Sequence, residues 1–146
     1  MHRFVYVSTA TQELSAQQIA DIAGACHRNN RRAGLTGLLV VHQGKFMHIL
    51  EGSEKAIRRQ AEKIQNDRRH RDFRVIEAAP IEMRAFNSFT FVHETPKALP
   101  LLGNENTAEL RALMPINSPL RGNDLRVRHM VRDFLASFKQ LLGAAA

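Results

Sequence analysis

The chain alternates between two hydrophobic periods, and the order of that alternation narrows its possible folds more than any other feature. Phe4, Tyr6 and Ser8 share one face of a short extended segment, with Val5 and Val7 on the other, which is the period of a strand. At Ser15 the period changes. Ser15 with Gln18 forms a capping box, and Ile19, Ile22, Ala23 and Cys26 recur at helical spacing. The polar run His27 to Arg32 ends this helix, and Gly34 marks a turn. Leu35 to His42 reads as a second strand, apolar enough to lie centrally, Gln43-Gly44 as a tight hairpin turn, and Lys45 to Glu51 as the returning strand. Gly52-Ser53 breaks that strand and caps a second helix, whose apolar stripe is Ile57, Ala61 and Ile64. Phe73 to Ile81 and Phe86 to His93 read as a fourth and a fifth strand. The order is therefore β-α-β-β-α-β-β. Right-handed crossovers place both helices on one face of a single sheet, an α+β, ferredoxin-like arrangement completed by C-terminal helices.

The expected division is a core over residues 1–93 and a C-terminal linker and helical segment over residues 94–146. Pro96, Pro100, Gly103, Pro115, Pro119 and Gly122 punctuate the second part, around a short helix from Thr107 to Leu113. Asn123 then caps a longer helix bearing Val127, Met130, Val131, Phe134, Phe138, Leu141 and Leu142. That stripe needs burial, on the open sheet face or on a second subunit, which makes a homo-oligomer an expectation. Cys26 is the single cysteine, so no intramolecular disulfide framework exists. No apolar run reaches the ~18–20 residues of a membrane span, and the first residues lack the pattern of a signal peptide. With the free thiol, these features imply a cytoplasmic protein that does not use the membrane.

Two groups of residues invite chemistry. Alternation puts Tyr6, Ser8 and His48 on strand faces that converge, if the strands are neighbours, beneath the Asn29-Asn30 end of the first helix. A phenol, an imidazole and two amides among Ile19, Ile22, Leu39, Ile57 and Ile64 suit a planar heterocycle with several hydrogen-bonding edges. Spacing alone also allows an edge tyrosine, a satisfied core histidine and a pair of helix-capping asparagines. The second group is basic: between Lys55 and Arg74 there are eight Lys or Arg against three Asp or Glu, which concentrates most of the formal net charge of +7. It could grip phosphates, but no recognition helix, zinc spacing or aromatic RNA motif accompanies it, so nucleic acid is not the expected partner. The seven histidines have no ligand spacing, and no metal site is expected. Neither a nucleophile elbow nor a P-loop is present. No nucleophile stands with a base and an orienting group, so the chain does not read as an enzyme.

Several segments in one order resemble the BLUF domains, the flavin-binding blue-light sensors. They are Phe4-Val5-Tyr6-Val7-Ser8, Asn29-Asn30 with Gly34-Leu35-Thr36-Gly37-Leu38-Leu39, Gly44-Lys45-Phe46 with Leu50-Glu51-Gly52, Asp67-Arg68-Arg69-His70, and Arg84-Ala85-Phe86. The resemblance implies FAD, with its ring between the two helices and above the sheet. It makes Tyr6 the photochemical electron and proton donor. It makes Asn30, with its neighbour Asn29, the amide partner of the flavin edge, and it groups Asp67, Arg69 and His70 at the end of the second helix. Ser8 and His48 complete the implied cofactor-binding set.

Where the family carries its signalling glutamine, two residues after the phenylalanine, this chain has His48. An amide has a donor end and an acceptor end, and exchanging them rewires two hydrogen bonds. An imidazole cannot exchange its ends in the same space. The tryptophan and methionine often found on the fifth strand are replaced by Phe89 and Phe91, which do not hydrogen-bond. The expectation is a BLUF-type sensor whose usual photocycle is altered or lost, signalling through a downstream protein or through self-association of its C-terminal helix. The alternative is a flavin-free BLUF domain kept as an oligomerisation or interaction module.

Overall fold

The structure, a computed structural model, describes residues 1–93. Both expected C-terminal helices, and the expected cover over the sheet, lie outside the described residues. The seven elements occur in the expected order: β1 (His2–Ala10), α1 (Ala16–Arg32), β2 (Thr36–His42), β3 (Lys45–Gly52), α2 (Glu54–Gln65), β4 (His70–Pro80) and β5 (Phe89–His93). They form one sheet of order β4-β1-β3-β2-β5. The first four strands have the split βαβ order of the ferredoxin-like fold, and β5 adds to the β2 edge in parallel.

Local chemistry accounts for the boundaries. Ser15 accepts from the Gln18 amide while the Gln18 side chain accepts from Ser15 N–H, the reciprocal capping box that starts α1. Ser53 caps α2 in the same way through Ala56 N–H. The hairpin between β2 and β3 turns at Gln43 and Gly44, both at positive φ (48° and 74°), as a primed turn requires. Phe86 is not part of β5, contrary to its pattern. The N–H groups of Ala85 and Phe86 both donate to Glu51 Oε1, at 2.8 and 2.9 Å, so they are not spent on a strand ladder. Gly37 is a second fixed point: its φ is 150°, and a Cβ there would lie 1.8 Å from the Ile49 carbonyl oxygen. Only glycine allows β2 and β3 to approach so closely at that rung.

Both helices lie on one face, as the crossover rule requires. Phe4, Tyr6, Leu35 and Leu50 pack there with Ile57 of α2, flanked by Ala61, Ile64 and Phe73. Ala10, Leu39, Val41 and Phe46 form the neighbouring cluster, against which Ile22 and Cys26 of α1 pack. Ile57 is the one buried residue of α2. Its anchoring of the helix is worth about 2 kcal/mol. On the opposite face Val5, Leu38, Val40, Met47 and Ile49 are also buried.

Candidate functional site

The register of β1 on β3 places Tyr6 directly opposite His48. The Tyr6 hydroxyl lies 2.9 Å from His48 Nδ1, and both residues are buried. Burial pushes the His48 pKa down to about 3, so the imidazole is neutral. Burial, reinforced by Cys26 and Asp67, raises the Tyr6 pKa, so the phenol keeps its proton. When the phenol donates to Nδ1, the imidazole proton must sit on Nε2. That Nε2 is buried and has no hydrogen-bond partner. Phe73 stacks on Tyr6 with ring centroids 4.7 Å apart, and Phe89 meets the His48 ring edge-on at 5.7 Å. The two rings are thereby held in place by aromatic neighbours on both sides of the pair.

The turn after α2 contributes the remaining polar groups. His70 Nε2 lies 2.6 Å from the Ile64 carbonyl, which can only accept. In the neutral ring the Ser8 hydroxyl therefore donates to Nδ1, at 2.9 Å. Arg69 grips Asp67 through Nε and Nη2, the shortest contact being 2.7 Å, and its backbone N–H adds a further bond. Those bonds hold the Asp67 carboxyl below the usual carboxylate range and raise the Arg69 pKa. Cys26 is half-buried, and burial pushes its thiol up to about 11, partly opposed by Arg69. It is an unreactive wall residue.

Of the residues singled out from the sequence, Tyr6, Asn29, His48, Asp67, Arg69 and His70 line one cavity of about 190 Å³ between the helices and the sheet. Ser8 stands behind His70. Asn30 is fully buried, and neither its amide nitrogen nor its amide oxygen has a partner. The expected walls Ile22, Leu39 and Ile64 are present, whereas Ile57 packs with Phe4 and Leu50, and Ile19 lines a hollow beside Ala10. Sequence reasoning missed Leu14, Phe46, Gln60 and Lys63 as lining. The signal for Gln60 was its position four residues before Ile64 on the inward stripe of α2, and polarity hid it.

Unpartnered buried polar atoms are costly unless a ligand supplies partners. The free Asn30 amide and His48 Nε2 offer donors and an acceptor beside apolar walls, which fits the imide and ring-nitrogen edge of a flavin. Among the described residues, no group of three or more His, Cys, Asp or Glu side chains could hold a metal ion. No helix there is long and apolar enough to cross a membrane.

Residues 1–92 match the BLUF family, described as sensors of blue-light using FAD, and the chain belongs to that family. Its BLUF domain is a flavin-binding blue-light sensor module, a sensor and not a catalyst. Among similar proteins is the photoactivated adenylate cyclase subunit beta of Euglena longa, 35% identical over 81 residues, or 56% of this chain and 9% of that protein. The chain thus spans about a tenth of the length of the curated relatives it matches. The dark-state structure of BlrB, a BLUF protein, is 25% identical over 77% of this chain and 92% of that one, with a TM-score of 0.63. A manganese and cyclic-diGMP complex of Klebsiella pneumoniae BlrP1 is 22% identical with a TM-score of 0.72, covering 92% of this chain and 32% of that one. This last likeness is one of fold.

Proposed function

We propose that the core of residues 1–93 binds FAD and works as a blue-light sensor with a modified photocycle, and that residues 94–146 pass its output to a partner protein or a second copy of the chain. The observation that carries this reading is the buried Tyr6–His48 hydrogen bond inside a cavity whose Asn30 amide and His48 Nε2 have no partners. Tyr6, Asn29, Asn30, His48, Asp67, Arg69 and His70 would hold the cofactor, with Ser8 fixing the His70 ring. A bound flavin supplies a ring that absorbs blue light and, once excited, accepts an electron.

The chain's own part follows from the proton inventory. Tyr6 is the electron donor, and among the described residues its hydroxyl is hydrogen-bonded to His48 Nδ1. A proton leaving Tyr6 passes to Nδ1, and the imidazole can release another from Nε2 without turning. Burial disfavours the doubly protonated ring, whose pKa is about 3, so the proton is handed on or returned quickly. A glutamine amide, by contrast, stores the event as a rearranged pair of hydrogen bonds. Replacing it by histidine removes the store and keeps the quenching route.

Absorption spectroscopy tests the reading. The purified protein should carry a flavin band, and illumination should leave at most a small, short-lived red shift. His48→Gln should bring back a long-lived red shift that decays in the dark. A protein that is colourless and takes up no added flavin would instead be an interaction module. A flavin-loaded His48→Gln variant without the shift would move the lesion to Phe89 and Phe91.

A further inference from the structure

The cavity continues into a second hollow, of about 410 Å³, at the end of α1 and the beginning of α2. Asn29, Gln60 and Lys63 line both, so the two spaces share a wall. Its remaining charged lining is Arg32, Lys55 and Arg59, and no carboxylate lines it. Lys55, Arg59 and Lys63 are spaced four residues apart, which stacks three like charges in one row of α2, facing Arg32 from α1. Such a row opposes its own helix unless an anion lies along it. The nearby carboxylates are already committed, Glu54 to Arg58 and Asp67 to Arg69. Among the described residues no ion pair engages any of the four cations.

We infer that this basic groove receives the phosphate-bearing tail of the flavin, so that the site selects phosphorylated flavins over riboflavin by charge. The inference rests on the flavin reading of the adjoining cavity. It assigns the clustered positive charge a ligand of stated chemistry, a phosphoryl anion covalently attached to the ring that the cavity holds. A groove built this way responds to the anion and is indifferent to what lies beyond it, so a mono- and a dinucleotide should gain alike. Because all four side chains reach from exposed helix faces, the attraction is screened by salt.

The test is a fluorescence titration of flavin-free full-length protein with riboflavin, FMN and FAD at low and high ionic strength. FMN and FAD should bind about tenfold tighter than riboflavin at low salt, and the advantage should shrink as salt rises. Inorganic phosphate should compete with FMN and leave riboflavin binding unaffected. The triple variant Arg32→Gln, Lys55→Gln, Arg59→Gln should bring the FMN-to-riboflavin ratio to about one. Removing cations outside the groove, with Arg58→Gln and Arg74→Gln, should leave the ratio as it was. Equal affinity for all three flavins, or a ratio that survives the triple variant, overturns the groove and leaves the flavin reading standing. Absence of binding by all three overturns both.

Discussion

Strands β1 and β3 make two buried polar pairs on opposite faces of the sheet, and the two are built to different ends. On the helix face Tyr6 opposes His48; on the other, Arg3 opposes Glu51, three rungs along. The Arg3–Glu51 pair is saturated. Arg3 Nε and Nη2 reach Glu51 Oε2 at 2.8 and 2.7 Å, Glu77 approaches Arg3 at 3.7 Å, and Glu51 Oε1 accepts from Ala85 and Phe86. The Tyr6–His48 pair spends one bond and leaves Nε2 open. A buried ion pair with every lone pair used fixes the chain, here by pinning the β4–β5 connection to β3, while a neutral pair with spare valence is kept for a ligand. Arg84 strengthens the pin through Thr36 Oγ1 and the carbonyls of Glu51 and Gly34.

The sharpest way to break this contrast is to remove one member of each pair. Glu51→Ala strands the Arg3 charge and two backbone N–H groups, and should cost about 3–5 kcal/mol in urea unfolding. A loss below about 1 kcal/mol would mean that the pair is ornamental.

Acid should separate the faces next. His48 is neutral in the fold and titrates near 6.5 when unfolded, so between those values the unfolded chain binds the extra proton. Stability should therefore fall as pH drops from about 6.5 toward 3, by up to about 1.4 kcal/mol per pH unit. His48→Gln should remove that component. Asp67 contributes with the opposite charge logic: its carboxyl is held low by Arg69, so its share is lost only as pH falls below about 3.8. An unchanged slope in the His48→Gln variant would show that another group carries the acid sensitivity.

Tyr6→Phe should have the smallest effect on stability, about 1 kcal/mol, since one neutral hydrogen bond is lost and the ring stays packed on Phe73. Its effect on the flavin should be large in another observable. The bound flavin should become brightly fluorescent once its quencher is gone. A Tyr6→Phe variant as dim as the wild type would remove Tyr6 from the photochemistry.

Local signals made the order of elements readable: two serine caps, the Gln43-Gly44 turn and the change of period each act within a few residues. The boundaries that failed were those set at a distance. β5 begins at Phe89, after the stretch that Phe86 seemed to open, because Glu51 captures the two amides upstream. Tyr6, His48, Asn29 and the Asp67–His70 turn were readable as candidates through their residue types and their resemblance to the BLUF pattern. The polar Gln60 and Lys63 were not, since nothing local distinguishes a cavity wall from a solvated face.

By itself the sequence determined the period of every strand and helix, the caps that start the helices, and the presence of a histidine where its family carries glutamine. Only the tertiary structure decided that Tyr6 stands opposite His48 and Arg3 opposite Glu51, and that Asn29, Gln60 and Lys63 join a closed cavity to a basic groove. Periodicity says which face a side chain takes. Register and sheet order, which depend on packing across the whole domain, say what it meets there.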